Sequence, residues 1–118
     1  MPQSIDLTEG ESLLVSLANR VDEDSRKEII AAYDMLRFVK VFEDGDEVSV
    51  YYALFSNDLN IRLTARKLYM HRNTLIYRLN KLKAATGVDI TTFSGAIIFI
   101  ILHCFYMSGR GRIKERHG

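Results

Sequence analysis

Leu75, Leu79 and Leu82 lie within residues 60–88, a stretch that holds seven Lys/Arg and not one Asp or Glu. At 100° per residue, the three leucines fall within about 60° of one helix face. That spacing demands an amphipathic helix with its leucines anchored in a core and its cations turned outward. Opposite the leucines come Asn73, Tyr77, Asn80, Lys81 and Ala84. Arg72 and Ile76 flank this outer face on one side, Thr74 and Arg78 on the other.

The rest of the chain has the opposite charge. Residues 1–59 carry five Lys/Arg against 13 Asp/Glu, and residues 89–118 carry four against two, so the formal net charge of +1 conceals a sharp asymmetry. A basic segment on an acidic scaffold points to a polyanionic partner, the plainer alternative being a solvated basic helix face. A length of 118 residues sets one domain with a modest core, and 47% apolar with 26% charged residues is ordinary globular composition. The single cysteine, Cys104, cannot form an internal disulfide, which suits a reducing cytosol. Residues 1–12 lack the basic start of a signal peptide, and the apolar run AIIFIILHCFYM is too short for a bilayer, so no membrane partner is expected.

The only proline is Pro2, and the periodicity is helical through most of the chain. Residues 8–21 place Leu13, Leu14, Leu17 and Val21 at helix spacing, with Thr8 as a cap. Residues 22–39 predict one helix with Ile29, Ile30, Tyr33 and Leu36 on its inner face. Over 37–55 two signals compete. Asp-Gly between Val/Phe runs is a hairpin signal, whereas Val48, Tyr51, Tyr52 and Phe55 keep helix spacing. The helix is favoured, from about 46 to 57, with Asp46 as its cap. NDLN (57–60) is turn chemistry. A short helix follows over about 61–69, then a break at Met70–His71 and a longer helix to Thr86, ended by Gly87. Residues 88–92 form a connector, and a last helix over about 94–107 is capped by Ser94 or Thr92. The chain divides into an N-terminal helical extension (1–45), a DNA-binding domain (46–107) and a basic flexible tail (108–118).

A short helix, a tight turn and a second helix can push the second helix into a DNA groove. Ala65 supplies the small residue where the helices cross, and Met70 can plug the turn. Arg72 can bond bidentately to guanine, and Asn73 to adenine. Tyr77 can touch a thymine methyl or donate to phosphate. Arg78, Lys81 and Lys83 suit contacts to the DNA backbone, and Arg66 and Lys67 can grip flanking phosphates. His71 occupies the cap position and Thr74 the third helical position, beside a helix N-terminus that favours anions. Structural alternatives stand beside these roles: Arg78 can pair with an acid of the N-terminal half, Tyr77 can pack inside, and Asn73 can support the turn.

An enzyme is not expected, and neither are a metal or cofactors. His71, His103 and His117 show no ligand spacing with Cys104 or with one another. SGRGR (108–112) lies outside any strand-to-helix phosphate loop. Asp22, Glu23 and Asp24 are explained by a helix start, and His103 and Cys104 by burial in an apolar run. The unbroken series Ile97 to Leu102 leaves the last helix no polar face, so it is buried centrally or shared with a partner chain. A homodimer is expected, through the N-terminal helices or this last helix. The alternative function is a protein–protein interaction module built on the basic and apolar helices.

NDLNIRLTARKLYMHRNTLIYRLNKLKAATGVDI resembles the C-terminal helix-turn-helix domain of the PucR family of bacterial transcription regulators, and within it the sugar-diacid (CdaR-like) branch. The resemblance rests on Asn60, Ala65, Leu68, the block His71-Arg72-Asn73-Thr74-Leu75, Tyr77-Arg78-Leu79 and Thr86-Gly87. It is strong over about 57–90 and weaker over about 45–106. It implies an all-α fold, a helical bundle containing a helix-turn-helix, with a Fis-like tri-helical core plus flanking helices. It also implies double-stranded DNA as partner and a cytoplasmic, nucleoid-associated location. In such regulators an upstream sensory region binds a small metabolite. Residues 1–45 are too short for it, so an effector is expected to act only through a sensory domain absent from this chain. The sequence departs from the family at TTFSGA, where an acidic or Asp-Pro helix start is usual, and in its basic, glycine-containing tail.

Overall fold

The computed structural model describes Ser16 and residues 20–117, with side chains as far as Ser108. The expected helix over 8–21 lies largely outside the described residues. Six helices follow in order: α1 Glu23–Ala32, α2 Met35–Glu43, α3 Gly45–Ser56, α4 Ile61–Lys67, α5 Arg72–Thr86 and α6 Phe93–His117. There is no strand among the described residues, so the fold is all-α. None of their helices is long and apolar enough to cross a membrane.

Local chemistry sets most of the helix ends. Asp22 caps α1, its carboxylate accepting from the Ser25 N–H at 3.3 Å, with Glu23 and Asp24 in the first turn. Hydrogen bonds from Ser25 hold the Asp22 carboxyl below its ordinary range. Asn60 caps α4 through the Leu63 N–H at 3.0 Å. Gly87 ends α5 with φ +79, the left-handed conformation that glycine adopts without a Cβ penalty.

The helix expected over 22–39 is two helices, broken at Tyr33 and Asp34. The break turns a new face inward. Phe38 is 0% exposed, whereas Leu36, expected inside, is 80% exposed. Two aromatic rings gain more from burial than one leucine does, and Phe38 and Phe42 stand four residues apart on a single α2 face.

The Asp-Gly hairpin signal loses to a helix, α3, which buries Val50, Tyr51 and Leu54. Alternation along a strand would have sent Val50 and Tyr51 to opposite sides. The cap is Asp44 rather than Asp46: its carboxylate accepts from the Glu47 N–H at 3.2 Å. Of the two caps offered for α6, Thr92 is used, its hydroxyl accepting from the Gly95 N–H at 3.0 Å. The α6 backbone continues to His117, past the expected end at 107.

Phe99 on α6 is the hub of the core. It is fully buried, with Phe42 edge-on at 5.3 Å, Tyr51 at 5.7 Å and Phe55 at 5.8 Å between ring centroids. Edge-to-face geometry at these spacings adds to plain area burial. Leu102, Cys104 and Phe105 extend the same buried cluster. The Arg26 guanidinium lies 5.2 Å from the Phe105 ring and joins α1 to α6. The apolar last helix is therefore central to the fold, yet Phe93, Ile97 and Met107 remain exposed on it.

Candidate nucleic-acid interface

The interface is built from α4, the turn after it, and α5. Ala65 is 3% exposed where α4 lies against α5, and a larger residue would push the two helices apart. The turn is closed by backbone bonds from Tyr69 N–H to Arg66 C=O at 3.1 Å and from Met70 N–H to Ala65 C=O at 2.9 Å. Met70 packs against the core, which fixes where α5 begins.

His71 caps α5. Its Nδ1 accepts from the Asn73 N–H at 3.2 Å, so a neutral ring carries its proton on Nε2. The Thr74 N–H bonds the His71 carbonyl at 3.0 Å. Two amides of the first turn are thus already engaged, and any anion at this end must be met chiefly by side chains. That qualifies the expectation of a free helix N-terminus.

Leu75, Leu79 and Leu82 are all buried, and Thr86 continues the inner face. The Thr86 hydroxyl bonds the Leu82 carbonyl at 2.9 Å and accepts from Val88 N–H at 3.2 Å, tying the connector to α5. On the far side Asn73, Tyr77, Asn80, Lys81 and Ala84 are exposed, Tyr77 by 66%. Arg66 and Lys67 in the last turn of α4 and Arg72 and Thr74 at the start of α5 are exposed as well. Cationic and amide side chains are therefore exposed on α4 and on the outer face of α5. Tyr77 does not pack inside.

Arg78 takes the structural alternative open to it, pairing with an acid of the N-terminal half. Its guanidinium pairs with the carboxylate of Glu47 in the first turn of α3, and both side chains are only about a quarter exposed, 27% and 28%. The α2–α3 corner approaches this flank of α5 closely enough to offer an acid, and a half-buried guanidinium takes it. The other Glu47 oxygen accepts from the Tyr51 hydroxyl at 2.5 Å. Burial, and after it the Glu47 carboxylate, push the Tyr51 phenol well above its ordinary pKa. Tyr77, Arg78 and Lys81 share a cleft with Asp44, Glu47 and Tyr51 on this flank. Lys83 lies 3.8 Å from the Asp89 carboxylate in the connector, although over half of its side chain is exposed.

Two residues of this region were not picked out from the sequence. Glu47 reads locally as an acid of a helix's first turn, and nothing near it marks the pairing with Arg78, 31 residues away. Tyr69 sits in the turn at φ +54 and is 99% exposed. Its position two residues before the cap was the available clue.

Paired helices with a small residue at their crossing, a plugged turn and an outward basic ridge define a helix-turn-helix domain. Residues 50–99 match the family model of the PucR C-terminal helix-turn-helix domain. Among curated proteins, the chain is similar to the uncharacterized protein YxkF of Bacillus subtilis (strain 168), with 45% identity over 42 residues, 36% of this chain and 14% of that protein. It is also similar to the carbohydrate diacid regulator of Escherichia coli (strain K12), with 35% identity over 49 residues, 42% of this chain and 13% of that protein. The chain thus matches only 14% and 13% of the lengths of these relatives. No solved structure gives a significant match.

Proposed function

We propose that the chain binds double-stranded DNA sequence-specifically as part of a bacterial PucR-type, CdaR-like transcription regulator, with α5 lying in the major groove. The observation that carries this reading is the outward face of α5. Asn73, Tyr77 and Lys81 are all exposed, directly opposite the buried Leu75, Leu79 and Leu82. Arg72 and Asn73, at the start of the helix, read base edges, because side chains at a recognition helix's N-terminal end reach deepest. Tyr77 meets a thymine methyl or a phosphate. Arg66, Lys67 and Lys81 contact the phosphate backbone, and His71 and Thr74 flank the same end of the helix. Arg78 acts differently from these: held by Glu47, it positions α5 rather than touching DNA. The role is binding, not catalysis, and its place is the cytoplasm, on the nucleoid. Two copies bind as a homodimer, so that paired recognition helices meet successive major grooves. A small-molecule effector acts through a sensory domain outside this chain.

The test is selection of bound sequences from random duplexes, followed by salt titration of the best one. A steep fall of affinity with salt and a consensus with two-fold symmetry are expected. Binding that ignores sequence, or no binding, would overturn the reading.

A second reading is favoured by the apolar residues left open on α6. Phe93 and Ile97 border a shallow groove with Phe55, Leu59 and Ile100. A protein–protein contact there would be insensitive to salt. It would also survive the loss of Lys81.

A further inference from the structure

We propose that Tyr69 is an additional DNA contact, its phenol O–H donating to a backbone phosphate beside the groove that α5 enters. This rests on the DNA-binding reading above. Among the described residues, three that are not glycine have positive φ: Asp58 at 56°, Leu59 at 64° and Tyr69 at 54°. A Cβ in this conformation crowds the following carbonyl, and only Gly, Asn and Asp tolerate it readily. Asp58 is of that kind. Leu59 is not, but it packs against the core, and burial offsets the strain. Tyr69 has neither excuse, being 99% exposed.

The turn itself imposes the conformation. The bonds from Tyr69 N–H to Arg66 C=O and from Met70 N–H to Ala65 C=O, with Met70 packed against the core, hold the backbone at 69 in this conformation. Glycine would satisfy that backbone at lower cost. A bulky aromatic here strains the fold and buries nothing in return. Strain retained where folding does not need it points to a binding role. The surroundings name the ligand: Arg66, Lys67 and Arg72 are exposed around the turn, and no carboxylate occurs anywhere in residues 60–88. A neutral phenol among cations suits a phosphodiester oxygen, with the ring lying against the neighbouring sugar. The turn precedes α5, so Tyr69 reaches the strand flanking the groove rather than the base edges.

The experiment compares the full chain with Y69F, Y69G and K67Q on the duplex selected above, across a salt series, together with thermal melts. Y69F should bind roughly two- to tenfold more weakly, the worth of one net hydrogen bond, with an unchanged melting temperature. Its slope of log affinity against log salt should equal that of the unsubstituted chain, because a neutral donor releases no counterion. K67Q should reduce that slope by about one contact. Y69G should melt several degrees higher yet bind more weakly than Y69F, since strain and ring are lost together. If the unsubstituted chain binds tightly and Y69F and Y69G bind equally well, Tyr69 is not a contact and the DNA-binding reading stands. If the unsubstituted chain binds no duplex, both fall.

Discussion

Arg78 in the middle of α5 and Glu47 in the first turn of α3 form an ion pair that spans 31 residues of chain and joins α5 to the acidic half of the molecule. Glu47 takes the Tyr51 hydroxyl as well, so one carboxylate joins a buried ring to an α5 cation. The pair consumes a positive charge that the bare sequence offers to DNA. The pair lies on one flank of α5, beside the outer face that the buried Leu75, Leu79 and Leu82 define.

A double-mutant cycle with Glu47→Gln and Arg78→Met should therefore show coupling of about 1 kcal/mol in urea unfolding, between an exposed ion pair and a buried charge-assisted bond. Additive effects of the two substitutions would mean that the pair does not tie the helices together. Arg78→Met should lower affinity for all duplexes alike without relaxing base preference.

Substitutions on the outer face should separate by chemistry. Asn73→Ala should relax preference at one base pair, at about 1–3 kcal/mol of discrimination. Lys81→Gln should weaken every sequence equally and lower the salt slope by about one contact. Leu79→Ala acts inward and should cost the domain about 2–5 kcal/mol of stability. Competition binding against single-base variants of the selected duplex checks the first two, and denaturant unfolding checks the third.

Gly95 should not accept a side chain. A Cβ there would lie 1.8 Å from the Asp89 carbonyl oxygen and 2.9 Å from the Thr92 hydroxyl that caps α6. Both lie in the connector, which cannot retreat because Val88 and Ile90 on either side of Asp89 are buried. Gly95→Ala should destabilise by about 1–3 kcal/mol, read as a lower urea midpoint. An unchanged midpoint would show that the connector is free to move.

Stability should decline as pH falls below the ordinary histidine range. His103 is 7% exposed, its Nδ1 lies 2.7 Å from the Tyr52 hydroxyl, and the Phe42 ring sits 5.0 Å away. Burial lowers its pKa below the usual 6.5. The unfolded chain then takes up a proton more readily than the folded one, so acid favours unfolding. This contribution is fully present above pH 6.5 and is lost as pH falls from 6.5 toward the lower folded value. Melting curves of the protein and of His103→Gln between neutral and mildly acidic pH should converge on the acid side. Parallel curves would assign the acid sensitivity to another group.

Much of this could be read from the residues alone. Leu75, Leu79 and Leu82 face inward, Asn73 and Tyr77 outward, His71 caps and Gly87 terminates, as their spacing and chemistry predict. Each of these depends on neighbours within one or two turns. The errors have the opposite origin. The helix over 22–39 breaks because Phe38 and Phe42 must reach Phe99, which lies far along the chain on α6. Over 37–55 the sequence favours the helix against the Asp-Gly hairpin signal, and α3 bears that out by presenting Val50, Tyr51 and Leu54 to that same core.

The amino-acid order therefore determined the helix-turn-helix, its inner leucines and its basic exterior, because burial with a 3.6-residue period is a local property of the chain. Only the tertiary structure decided that Arg78 belongs to Glu47 and that Leu36 is left outside. It also decided that Tyr69 stands exposed in a strained turn. Those outcomes depend on which distant surfaces meet, and periodicity along one helix carries no record of its neighbours.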